Sequence, residues 1–125
     1  MFADRRATAM IPAKDFDRAK RWYGEKLGLK PSQEMEGGAS YQLAGGMNVF
    51  LYKSDFAGTA QHTLLSFDST DIAADMRELR AKGVTFEEYD LPDIKTKDGV
   101  AEFGPIKNAW AKDSEGNILG FVQGM

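Results

Sequence analysis

The chain of 125 residues contains no cysteine. Disulfides, thiolate metal sites and cysteine nucleophiles are therefore excluded. It has one histidine, His62, so a two-histidine metal triad cannot form within one subunit. No apolar run approaches the ~18 residues of a membrane-spanning helix. The charged opening Met1-Phe2-Ala3-Asp4-Arg5-Arg6 lacks the apolar segment of a signal peptide, and a cytoplasmic location is the expectation. There is no basic excess either: 16 Lys and Arg stand against 19 Asp and Glu, for a net charge of −3. Nucleic-acid binding needs a concentrated basic face. The densest basic stretch, Lys14 to Lys30, is interleaved with Asp15, Asp17 and Glu25 and reads as a solvated helix face. Neither a nucleic-acid nor a membrane partner is expected.

What is present suits a globular core, with 42% hydrophobic and 28% charged residues. Arg5 to Ile11 reads as a strand that stops at Pro12. Asp15 stands at a helix N-cap position. Phe16, Ala19, Trp22, Tyr23 and Leu27 then recur at helical spacing up to Gly28. Because Trp22 and Tyr23 are adjacent, one of them must lie at the edge of that stripe. Strands follow near Lys30–Glu36, Ala39–Leu43 and Met47–Tyr52, punctuated by Gly37-Gly38 and Gly45-Gly46. Ser54 to Ala60 reads as a polar connector.

The second half repeats this order. His62 to Phe67 reads as a strand, and Ser69 or Thr70 is placed to cap a helix whose stripe is Ile72, Met76 and Leu79. Val84–Glu88 reads as a strand, and Asp90 to Gly99 as a long polar loop, either a lid or a plain connector. Strands near Val100–Phe103, Lys107–Lys112 and Ile118–Gln123 complete the pattern, with Asp113 to Asn117 as a turn. Gly46-Met47-Asn48-Val49-Phe50-Leu51-Tyr52 parallels Gly116-Asn117-Ile118-Leu119-Gly120-Phe121-Val122. The fold class is therefore α+β. One domain over 1–125 holds two βαβββ modules, module one about 1–54 and module two about 61–125.

Three motifs carry a family resemblance. The stretch from Ile11 to Tyr23, closing in Lys26-Leu27-Gly28-Leu29, resembles the opening unit of the vicinal oxygen chelate superfamily, the glyoxalase, bleomycin-resistance and extradiol-dioxygenase group. Asp113-Ser114-Glu115-Gly116-Asn117-Ile118-Leu119 is similar to its last hairpin, and His62 to Asp68 to the strand opening its second module. The resemblance implies a curved mixed sheet around a cavity, and a homodimer. In metal-dependent members four strands each offer one ligand. The matching positions here are Thr8, Phe50, His62 and Gly120. Only His62 is a good donor, whereas catalytic Zn²⁺ or Fe²⁺ needs about three imidazole, thiolate or carboxylate ligands. No metal and no cofactor are expected. Asp113-x-Glu115-Gly116-Asn117 resembles a calcium loop only superficially, lacking its spacing and distal glutamate.

Several candidates remain for the site. The resemblance puts His62 against the cavity, as general base, ligand contact or structural group. Phe50 and Tyr52 share a strand face with Asn48, and with Thr8 and Trp110 they complete the candidate ligand-binding set. The expected function is metal-free binding of a partly apolar or aromatic small molecule. The alternatives are a cofactor-independent enzyme using His62, or an atypical metal-dependent lyase or dioxygenase.

Overall fold

A computed structural model describes all residues, 1–125. The first half runs β1 (Thr8–Ala13), α1 (Phe16–Leu27), β2 (Gln33–Met35), β3 (Gly38–Gln42) and β4 (Asn48–Lys53). These strands form a sheet in the order β1-β4-β3-β2, with β1 and β4 parallel. The second half runs β5 (Thr63–Ser69), α2 (Ile72–Ala81), β6 (Thr96–Lys97), β7 (Val100–Phe103), β8 (Ile106–Lys112) and β9 (Ile118–Gln123). Its sheet has the order β5-β9-β8-β7-β6, with β5 and β9 parallel. The architecture is α+β, two helices on two mixed sheets, as the alternating pattern predicts.

Helix α1 is bounded by local chemistry. The Asp15 carboxylate accepts from the Arg18 N–H. At the other end Gly28 sits at φ 69°, which lets the Gly28 and Leu29 N–H groups close on the carbonyls of Gly24 and Tyr23. Tyr23 is the buried member of the aromatic pair and Trp22 is half-buried. Alternation on β4 sends Val49 and Leu51 under the helix. One core takes Ile11, Tyr23 and Leu51 from the first half and Met76, Leu119 and Phe121 from the second. The helix-covered faces of both sheets feed it, and their opposite faces stay outside.

Four expectations are corrected. Strand β1 does not stop at Pro12, which pairs with Tyr52. As an edge strand, β1 tolerates a residue without an N–H. The cap of α2 is Asp71, not Ser69 or Thr70: its carboxylate accepts from the Ala74 N–H. Ser69 instead accepts from the Asp71 N–H and donates to Asp75. Val84–Glu88 is not a strand. β7 occupies the β8 edge from Ile106 to Ala109. Only the end of β8 is left, where Phe86 bridges Ala111 and the Glu87 N–H reaches the Trp110 carbonyl. The Asp90–Gly99 segment is not wholly loop, because β6 pairs with β7 and the Thr96 hydroxyl accepts from the Tyr89 N–H.

The turn after β8 locks the halves together. Buried Asp113 accepts from the Tyr23 hydroxyl at 2.5 Å, from the Asn117 side-chain amide, and from the Glu115 and Asn117 N–H groups. Asn117 also donates to the Pro12 carbonyl and accepts from the Gly58 N–H. Glu115, buried as well, accepts from the Asp15 N–H at 2.8 Å and from the Arg18 guanidinium at 2.8 and 3.0 Å. Ser54 to Ala60 is accordingly more than a polar connector. Ala57 is fully buried, and a Cβ on Gly58 (φ 76°) would run into the Glu115 carbonyl.

Burial pushes the Glu115 carboxyl up, but the bonds from Arg18, the Asp15 N–H and Ser114 outweigh it and hold the pKa at about 2, against 4.5 ordinarily. A folded pKa below the unfolded one adds stability that is complete above about pH 4.5 and lost as pH falls toward 2. Acid titration followed by circular dichroism should show destabilisation across that window. Glu115→Gln should lower stability by about 2 kcal/mol at neutral pH and flatten that limb of the profile. Gly58→Ala should cost at least about 2 kcal/mol in urea unfolding, through positive φ plus a backbone collision.

Candidate ligand-binding groove

The face of the first sheet away from α1 is built by register. Thr8 pairs with Asn48, Met10 with Phe50, and Pro12 with Tyr52. On the other side of β4, Gln42 lies beside Asn48 and Ser40 beside Phe50. Paired residues share a face, so these side chains form one patch. Thr8, Met10, Ser40, Gln42, Asn48 and Phe50 line a groove of about 440 Å³, closed on one side by Ser32 and Gln33. No charged residue lines it.

The pose of Phe50 depends on a glycine. A Cβ on Gly38 would come within 3.2 Å of Phe50 Cε2, closer still to Cζ, and within 3.3 Å of Met35 Cγ. The bare Gly38 backbone therefore lets the phenyl ring lie across β3 instead of standing upright. On the second sheet the aromatic is held by a hydrogen bond instead. Trp110 on β8 pairs with Gly120 on β9, and its indole N–H donates to the Thr63 hydroxyl at 3.1 Å. A Cβ on Gly120 would approach Ser66 Oγ at 3.0 Å and Thr63 Cγ2 at 3.1 Å. Tyr89 meets the Trp110 ring edge-on, with centroids 5.5 Å apart.

The candidate residues are thus distributed over two sheets. Thr8 and Phe50 share the groove. Tyr52 lies on the same face, half-buried and outside the lining. Trp110 belongs to the second sheet. His62 is exposed, precedes β5 instead of opening it, and places Nδ1 at 3.0 Å from the Thr63 carbonyl. The sequence reading missed Met10, Ser40, Gln42 and Gly38. The Gly37-Gly38 pair is the visible signal, since only Gly37 has the positive φ of a turn, while Gly38 lies inside β3.

The donors present do not fit a transition metal. A phenyl ring and a glycine offer no lone pair, and nowhere do three His, Asp or Glu side chains converge. What the groove does offer is neutral hydrogen bonding, from the amides of Gln33, Gln42 and Asn48 and the hydroxyls of Thr8, Ser32 and Ser40, around one aromatic face.

Residues 5–117 match the model of the Glyoxalase/Bleomycin resistance protein/Dioxygenase superfamily. The chain belongs to that superfamily. Solved structures agree on the fold. UcmS2 superposes with a TM-score of 0.75 at 20% identity, covering 94% of this chain and 96% of its own. TnmS3, an antibiotic binding protein from Streptomyces sp. CB03234, has a TM-score of 0.68 at 20% identity and covers 100% and 99%. A glyoxalase/bleomycin resistance protein from Catenulispora Acidiphila DSM 44928 has 0.67 at 21%, covering 96% and 98%. No match was found among curated proteins. No helix is long and apolar enough to cross a membrane.

Gly38→Ala should force the Phe50 ring off the sheet with little loss of fold. The test is the Phe50 ring proton shifts by NMR. Ring signals unchanged from the native protein would show that Gly38 does not set the pose.

Proposed function

We propose that this superfamily member is a metal-free binding protein for an uncharged, partly aromatic small molecule, held on the open face of the first sheet. The observation that carries the reading is the Phe50 ring, laid over Gly38, in a groove that no charged residue and no imidazole, thiolate or carboxylate lines. A flat aromatic surface ringed by neutral amides stacks a planar ligand and hydrogen-bonds its edges, while giving an anionic substrate no counter-charge. The likeness to an antibiotic binding protein supports the same reading.

A homodimer goes with it. The groove is lined by first-half residues alone, so its far side is open. The same face exposes Met10 and Met35 at 48% and 49%, an apolar surface that a twin would cover.

Thermal-shift screening with planar uncharged aromatics should find stabilising ligands. Phe50→Ala should weaken the best by about thirtyfold, near 2 kcal/mol, while His62→Ala leaves its affinity unchanged. Affinity unmoved by Phe50→Ala would relocate the site. Light scattering should report a dimer at micromolar concentration, and a strict monomer would remove the partner from the groove.

A further inference from the structure

A second and larger cavity lies elsewhere, between the C-terminal end of α1 and the free edge of β5. Its volume is about 560 Å³, within the range of small-ligand sites. The first half contributes Leu27, Leu29 and Leu43 to its walls, and the second half Leu65, Leu79 and Phe121. Phe67 also lines it and stacks on Phe121 with centroids 5.9 Å apart and planes 20° off parallel, which gives an aromatic floor. None of the residues of the Phe50 groove lines this cavity.

The charges at its rim are unequal in availability. Two cations, Lys26 and Lys82, stand against three carboxylates, Asp68, Asp75 and Glu78, an excess of one negative charge. Lys26 Nζ donates to the Lys82 carbonyl at 2.5 Å, and Lys82 Nζ sits 3.6 Å from Glu78. Of the carboxylates, Asp75 accepts only from the Ser69 hydroxyl, and Asp68 is exposed and enters no ion pair. The last turn of α1 adds the negative end of its dipole, with Lys26, Leu27 and Gly28 all on the lining.

We infer that this cavity is a second ligand site, independent of the Phe50 groove, for a small organic ammonium ion with a hydrocarbon body. The body replaces water over the leucines and the Phe67–Phe121 pair. The ammonium group stays at the rim beside Asp68 and Asp75. An anionic amphiphile meets the opposite field and is disfavoured.

The experiment uses the full chain and three probes that share one six-carbon tail: hexyltrimethylammonium, 1-hexanol and hexanoate. Binding is followed by amide shifts in NMR. The cation should move Leu29, Ala44, Asp68 and Lys82 and bind about fivefold tighter than the alcohol, the scale of a rim-exposed ion pair, with hexanoate weakest. Asp68→Asn, which breaks no contact, should narrow that gap. Ala44→Trp should fill the cavity and abolish binding, and Phe50→Ala should leave it unchanged. Equal affinity for cation and alcohol, tighter binding of hexanoate, insensitivity to Ala44→Trp, or loss with Phe50→Ala would each overturn the inference.

Discussion

The carboxylate of Asp113 holds the two halves of this protein in register. It is buried at 6% exposure yet collects the Tyr23 hydroxyl, the Asn117 amide and two backbone N–H groups. A buried carboxylate is tolerable when so many donors replace its water. Burial first, and then the Asp113 charge, push the Tyr23 phenol far above its ordinary pKa, so Tyr23 remains a neutral donor. Around this pair Glu115 ties Asp15 and Arg18, and Asn117 ties Pro12 and Gly58. The β8–β9 hairpin is thereby fixed against the β1–α1 junction, and the relative position of the two sheets follows from it.

That position decides which faces are available. Because the helix-covered faces share one core, the opposite faces look outward, carrying Thr8, Asn48 and Phe50 on one sheet and Trp110 on the other. The strand period sorts each side chain unambiguously: Val49 and Leu51 are essentially inaccessible, while Asn48, Phe50 and Tyr52 are half-exposed. An aromatic on an open face is normally free to rotate into solvent. Gly38 changes that for Phe50 by removing the neighbouring Cβ, which gives the ring a flat bed, and the Thr63 hydroxyl does so for Trp110 by accepting its indole N–H.

Superfamily membership and chemistry separate at this point. The fold is one that hosts several activities, and a fold alone does not select among them. The selection comes from side chains. Where the resemblance places four metal ligands, this chain has Thr8, Phe50, His62 and Gly120, of which only His62 is a good donor, and the groups around Phe50 are amides and hydroxyls. Such a surface presents neutral donors and acceptors around one aromatic ring.

The helices, most strands and the exclusion of a thiolate centre, or of a two-histidine centre within one subunit, are legible in the sequence because they follow from local rules. Asp15 and Gly28 mark helix ends through their own backbone preferences, β4 alternates in plain view, and cysteine is simply missing. Tertiary structure decided the rest. Val84–Glu88 has a strand's pattern but finds its partner edge already taken. Asp113-Ser114-Glu115-Gly116-Asn117 reads as a turn, and its role as a clasp depends on Tyr23, 90 positions away. Gly38 shapes the groove only because a ring from the next strand crosses it. Each outcome depends on contacts between segments distant in sequence, and a periodicity confined to one segment cannot encode them.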